Sequence, residues 1–229
     1  MKLSVYKLGR IEYTKALKLQ KMLLKLRQQQ KIVDILLVLE HPSVLTLGRN
    51  ANQSNILVAK DILQARGIDI HETNRGGDVT YHGPGQIIGY PIIDLNNHGK
   101  DVHNFIWNIE EVFVRLLKEQ YNIDTKRFSE HKGVWVGNNK ITALGFSVKR
   151  WVTMHGFTFN VNTDLEYFKM INPCGISDKG VTSIQKLLDH CENYDKAIDV
   201  VVRYFCQVFN LEPEILYKLD SRDKKLEDD

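Results

Sequence analysis

The sequence predicts an α/β (α+β) protein with helices packed on a mixed β-sheet, and three observations carry that prediction. Apolar runs of strand length recur at residues 35–39, 44–47 and 87–95. Two longer stretches, 101–120 and 195–209, space their apolar residues as amphipathic helices do. Strands in hairpin-like succession alternate with helices, with no internal repeat and no low-complexity linker, as in one domain built on a mixed sheet.

Taken in order, residues 3–6 form a short strand and residues 13–29 a helix. In that helix Leu19, Met22, Leu23 and Leu26 repeat at i, i+3, i+4, i+7, and its lysines form a solvated face. Ile35-Leu36-Leu37-Val38-Leu39 is continuously apolar, which suits a strand covered on both faces. A second strand runs over 44–47, a short helix over 61–66 stops at Gly67, and a strand at 68–70 leads into a glycine-rich loop. In the strand at 87–95, Pro91 implies an edge position or a bulge, because proline donates nothing to the ladder. The helix over 101–120 takes Asp101 as its N-cap and turns Ile106, Ile109, Phe113 and Leu116 inward. Strands at 133–136, 140–149 and 154–161 follow, the first two joined by a turn at Asn138-Asn139. The last helix, 195–209, points Ile198, Val201, Val202, Phe205 and Phe209 inward.

Composition narrows the function classes. At 229 residues the chain is read as a single domain over 1–229, with the charged residues 221–229 as a fraying tail. Such a length buries roughly 70% of its unfolded surface without a staple. A net charge of +3 is far from the basic footprint of a nucleic-acid binder. Three cysteines, with no C-x-x-C pair, argue for a reducing compartment. Neither a signal peptide nor a bilayer-length apolar run is present, so a cytoplasmic location is expected. The eight histidines match no zinc-ligand spacing, and no metal is expected.

Two stretches stand out chemically. The first is Arg75-Gly76-Gly77-Asp78-Val79-Thr80-Tyr81-His82-Gly83-Pro84-Gly85-Gln86. It lacks the Lys-Ser/Thr of a Walker loop, and it opens a strand where a dinucleotide fingerprint would open a helix. The second is Asn172-Pro173-Cys174-Gly175, where a Pro/Gly loop can present a thiol to a cleft. Cys191 and Cys206 read as simply buried. With a pKa near ~8.5, only about 3% of a thiol is thiolate at neutral pH. An ammonium about 4 Å away interacts by roughly 4 kcal/mol at an effective dielectric of about 20, enough to change that. Lys140 is a candidate for it.

These residues, together with Tyr90-Pro91, Lys140-Ile141-Thr142-Ala143-Leu144-Gly145, His155-Gly156-Phe157 and the earlier His41-Pro42 and Leu47-Gly48-Arg49, resemble in order the signature of the lipoate-protein octanoyltransferases, the LipB family. The resemblance covers nearly the whole chain. It implies the fold shared by biotin protein ligases and lipoate ligases. It implies transfer of an octanoyl group from octanoyl-acyl carrier protein to a lysine on lipoyl domains, those of 2-oxoacid dehydrogenase E2 subunits and the glycine cleavage H protein. Cys174 matches the acyl-thioester nucleophile and Lys140 the lysine that lowers its pKa. Arg75, Gly76, Gly77, Asp78, Val79, Thr80, Tyr81 and His82 match substrate-binding positions, as do Ala143, Leu144, Gly145, Gly156, Phe157 and Thr158. The last block reads Gly-Phe-Thr where many members carry Gly-Leu-Ala, which implies an altered pocket lining. No cofactor, nucleic acid or membrane is implied, and a monomer is expected.

An apolar tunnel is therefore expected beneath the glycine loop, with Tyr81 and His82 near the thioester carbonyl. Three rivals remain: an ATP-dependent lipoate or biotin ligase of the same fold, a cysteine thioesterase pairing Cys174 with His82 or His155, and a non-catalytic binding module.

Overall fold

Strand β2 (Asp34–Glu40) is buried at every position and lies inside a mixed sheet. Its parallel neighbour β1 (Lys2–Arg10) reaches it through helix α1 (Tyr13–Gln28), and its antiparallel neighbour is β6 (Gln86–Ile92). Beyond β6 come β9 (Val152–Asn160) and β8 (Asn139–Lys149), both antiparallel. Strand β7 (Gly133–Val136) folds back on β8, and the two edges are completed in parallel by β10 (Gly180–Val181) on β8 and β11 (Glu212–Leu216) on β1. A second sheet sets β3 (Val44–Leu47) between β4 (Asp69–Glu72) and β5 (Val79–His82). This computed structural model describes residues 1–172 and 179–216; Cys174 and the charged tail lie outside them.

Helices cover both faces of the large sheet. Helices α3 (Val102–Tyr121) and α5 (Tyr194–Phe209) pack Phe105, Ile109, Phe113, Val201 and Phe205 against Leu36, Val38, Ile87 and Phe157. Each such side chain contributes about 1.5–3 kcal/mol on burial. Asp101 caps α3 as expected, accepting from the N–H groups of His103 (2.8 Å) and Asn104 (3.1 Å). The short helices α2 (Lys60–Ala65) and α4 (Ile184–Leu188) are the other α-helices among the described residues.

Several expectations are corrected. In α1 the buried line is Tyr13, Ala16, Gln20, Leu23, Leu24 and Arg27; Leu19, Met22 and Leu26 flank it, half-buried. Two polar residues hold this line because each has a buried partner. Gln20 Oε1 accepts from the His155 N–H at 2.9 Å, and Arg27 Nε donates to Asp34 at 2.8 Å. Residues 79–82, inside the glycine-rich stretch, are strand rather than loop. The β7–β8 turn sits one residue early, at Gly137-Asn138, where Gly137 takes φ +58. Cys191 is exposed, whereas Cys206 is buried in α5, where burial pushes its thiol up to about 11.

Pro91 lies neither at an edge nor at a register shift. It pairs with Leu36 on one side of β6, and on the other the β6–β9 ladder stops at Gly89 and Phe157. The gap is shared by His155 of β9, whose φ of +60 is costly for a residue with a Cβ. Its N–H turns to Gln20 instead of the ladder. The proline's missing donor and the histidine's diverted one thus accommodate each other.

Candidate active site

The glycine segment wraps around the Arg75 guanidinium. Arg75 Nη2 donates to the carbonyls of Thr46 (2.5 Å) and Asp78 (2.6 Å), Nη1 to that of Gly76 (3.0 Å), and Nε to the Thr46 hydroxyl (3.1 Å). The arginine therefore shapes the loop by satisfying carbonyls that a tight turn leaves over. Gly77 takes φ +88, and a Cβ on Gly48 would come within 2.2 Å of the Gly77 carbonyl oxygen, so both positions demand glycine. Asp78 binds Asn55 Nδ2 at 2.5 Å, and the Asn55 carbonyl accepts from the Asn172 N–H at 2.7 Å. The glycine segment is thereby tied to the chain immediately before Pro173.

Beneath the segment lies a cavity of about 600 Å³, within the range of small-molecule sites. Among the predicted residues, Arg75, Gly76, Gly77, Asp78, Val79, Thr80, His82, Lys140, Ala143, Leu144, Gly145, Gly156, Phe157 and Thr158 line it. Tyr81 does not. Alternation along β5 sends it to the face opposite Thr80 and His82, where it stacks on Tyr167 (centroids 4.9 Å apart) and bonds to Ser43 at 3.0 Å. Cys174 lies outside the described residues. Val102 and Ile106 of α3, with Phe146 and Val148 of β8, extend the apolar wall.

At the start of β8, the Lys140 ammonium sits over the Trp135 ring, 4.7 Å from its centroid, and Lys179 lies over the same ring at 5.3 Å. Val181 of β10 pairs with Lys140, placing the chain just after residues 173–178 against the lysine.

Sequence reasoning missed Tyr13, Tyr90 and His155 as cavity residues. Buried Tyr13 opens α1, and its hydroxyl has no hydrogen-bond partner among the described residues. Burial pushes that hydroxyl up to about 12, partly offset by the Arg75 charge and the nearby Thr73 hydroxyl. Thr73 itself donates to the Leu47 carbonyl at 3.1 Å. Tyr90 and His155 carried a signal, their places in the Tyr-Pro and His-Gly-Phe blocks, whereas Tyr13 carried none.

Three buried histidines surround this region uncharged. His82 has both ring nitrogens engaged, by Gln86 (3.0 Å) and Thr46 (3.2 Å), so neither is open to a substrate or a thiol. His41 Nδ1 donates to the Ile11 carbonyl at 2.7 Å, and its Nε2 accepts from the Tyr90 hydroxyl at 2.8 Å. His155 Nε2 donates to Asn74 Oδ1 at 2.7 Å. Burial is the leading cause that lowers all three, His41 and His155 to about 4 and His82 well below its ordinary value.

In the unfolded chain these histidines titrate near ~6.5. Below that pH the unfolded state takes up protons that the folded state refuses. Stability therefore falls by about 1.4 kcal/mol per pH unit per histidine between pH 6.5 and 4. The midpoint of urea unfolding is expected to be flat from pH 8 to 7 and to drop steeply from pH 6 to 4.5. A midpoint unchanged down to pH 5 would refute the neutral assignment.

Among the described residues, no helix is long and apolar enough to cross a membrane. The lipoyl protein ligase A/B catalytic domain model matches residues 12–206. Over 226 residues the chain is 56% identical to an octanoyltransferase of Desulforamulus reducens, covering 99% of this chain and 97% of that protein. Its fold is similar to that of a bi-partite lipoate protein ligase from Thermoplasma acidophilum, with TM-score 0.74 and 14% identity, covering 99% and 90% of the two chains. Biotin protein ligase from Aquifex aeolicus, in complex with biotin and ATP, is similar at TM-score 0.56 and 9% identity, over 92% and 71%.

Proposed function

This chain belongs to the octanoyltransferase family, within the lipoyl protein ligase A/B catalytic domains, and is an acyltransferase; from that premise we propose that it takes an octanoyl group from octanoyl-acyl carrier protein and passes it, through a thioester on Cys174, to a lysine of a lipoyl domain. The observation that carries this reading is the cavity. It is walled by Val102, Ile106, Phe146 and Val148, covered by the glycine segment, and it includes Lys140. Each buried methylene of an octanoyl chain contributes about 0.8 kcal/mol, so such a wall supports recognition of an acyl tail.

In the first step the Cys174 thiolate attacks the donor thioester and expels the carrier thiolate, exchanging one thioester for another with little change in free energy. In the second, the acceptor amine attacks the Cys174 thioester, forming an amide and releasing the thiolate. Amide formation makes this step downhill without ATP. Two easier steps replace one difficult one. Lys140 is charged while the thiolate attacks, gives its proton to the departing carrier thiolate, and as the neutral amine then takes a proton from the incoming ammonium. The whole chain acts as one catalytic domain, a cytoplasmic monomer, with donor and acceptor meeting it in a transient, salt-sensitive encounter.

Intact-mass measurement after incubation with octanoyl carrier protein tests the reading. An octanoyl adduct is expected, absent in Cys174→Ala and discharged when a lipoyl domain is added. Acylation of the lipoyl domain from octanoate and ATP, but not from the carrier, would establish a ligase instead. Release of free octanoate in preference to transfer would establish a thioesterase. Undiminished function of Cys174→Ala would remove the thiol from the mechanism.

A further inference from the structure

Five buried polar side chains form a directional chain from the glycine segment toward Lys140. Gln86 Nε2 donates to Asn160 Oδ1 at 2.8 Å and to the Tyr81 carbonyl at 3.4 Å. Its Oε1 is therefore the atom that faces His82 Nδ1 at 3.0 Å, so Nδ1 carries the ring proton and Nε2 the lone pair. That lone pair takes the Thr46 hydroxyl hydrogen at 3.2 Å, and the Thr46 oxygen accepts from Arg75 Nε at 3.1 Å. At the other end Asn160 Nδ2 donates to the Thr182 carbonyl at 3.0 Å, and the Thr182 N–H donates to the Lys140 carbonyl at 2.9 Å. Reversing one link would leave the next donor or acceptor unpaired in a buried site.

We propose that Gln86 and Asn160 are positioning residues for Lys140, acting through this chain; the inference rests on the reading of Lys140 given above. Among the described residues, strand β10 pairs with β8 at two positions, Gly180 with Asn139 and Val181 with Lys140. So short a ladder holds its register poorly alone, and Asn160 supplies the missing tie by anchoring residue 182 to β9. Without that tie the Lys140 carbonyl loses its partner, and the backbone that places the ammonium is held from the β7 side alone. Misplacing a reacting group by about 1 Å costs on the order of 10²-fold in rate.

The isosteric replacement Asn160→Asp tests this at pH 8, where the ionised carboxylate still accepts from Gln86 but donates nothing to Thr182. Transfer from octanoyl carrier protein to a lipoyl domain is expected to lose about 10²-fold in kcat, with KM for the carrier changed less than about threefold. In a Lys140→Ala background the same replacement should have almost no further effect, because both changes disable one group. Gln86→Glu severs the chain one link earlier; it carries the same expectations and replaces Asn160→Asp if that variant fails to fold. Full kcat in the folded variant, or an equal loss in the Lys140→Ala background, would overturn the inference. An unimpaired Lys140→Ala protein would overturn the reading of Lys140 and this inference with it. An impaired Lys140→Ala protein with additive losses overturns the inference alone.

Discussion

Replacing Lys140 with methionine is expected to slow acyl transfer by about 10²–10⁴-fold, the usual range for removing a positioned acid–base group. The side chain lines the cavity and its ammonium rests on Trp135. Its backbone is held from both sides of β8, by β7 and by β10. Methionine retains the length and the apolar stem while removing the charge and the transferable proton. Both half-reactions should suffer, the first because the thiol loses its cationic neighbour and the second because the incoming ammonium loses its base. Lys140→Arg separates these two roles. It keeps the charge, so the Cys174 adduct should still form, but an arginine does not give up a proton near neutral pH, so discharge to the lipoyl domain should be the slower step. Single-turnover measurement of each half-reaction distinguishes them. Normal acceptor acylation by Lys140→Arg would remove the base role, and transfer within threefold of wild type in Lys140→Met would remove both.

The largest effect on stability is expected far from the reacting groups, at Asp34. Its carboxylate accepts from Arg27 Nε (2.8 Å), His98 Nε2 (2.7 Å) and the Asp94 N–H (3.0 Å), while Arg27 Nη1 lies 3.5 Å from Asp94. Burial alone would raise the Asp34 carboxyl. Hydrogen bonds from His98, the Asp94 amide and Arg27 outweigh it and hold the group below its ordinary value. Because the folded state keeps Asp34 ionised to lower pH than the unfolded chain does, this contribution is present above pH ~4 and is lost as the carboxylate protonates below it. Asp34→Ala leaves the Arg27 guanidinium buried with only its longer contact to Asp94. Breaking one partner of a buried ion pair costs about 3–5 kcal/mol. For a domain of this size that lowers the thermal midpoint by roughly 10 °C. Calorimetry at pH 7 checks it, and a loss below about 1 kcal/mol would show that Arg27 finds other partners or water.

The sequence made different parts of this molecule legible to different degrees. Helices α3 and α5 and strands β2 and β8 were readable because their apolar spacing is a local property of consecutive residues. Strands β10 and β11 were not: one is two residues long, and the other is exposed along most of its length and contains Pro213. Their pairing comes from the sheet edges they meet. The buried line of α1 was misread by a fraction of a turn, because leucine spacing alone does not reveal that Gln20 and Arg27 have buried partners on β9 and β2. Pro91 was assigned to an edge or bulge because the diverted N–H of His155 is distant in sequence.

For the site, the residue blocks named fourteen of the residues around the cavity, since a loop that approaches a substrate closely needs glycine and leaves its mark in a few adjacent positions. The need of a loop thiol for a cationic neighbour, together with the resemblance, also supplied the pairing of Cys174 with Lys140 as a chemical idea. What tertiary structure alone decided was orientation and neutrality. It turned Tyr81 away by strand alternation and brought Tyr13 from the first helix and Tyr90 from a central strand to the same cavity. It made Arg75 the centre of its own loop and held three histidines uncharged by burial. Residue type and local spacing determine what chemistry a chain carries. Which face a side chain takes, and whether it keeps its charge, depends on partners tens of residues away that only the assembled sheet brings together.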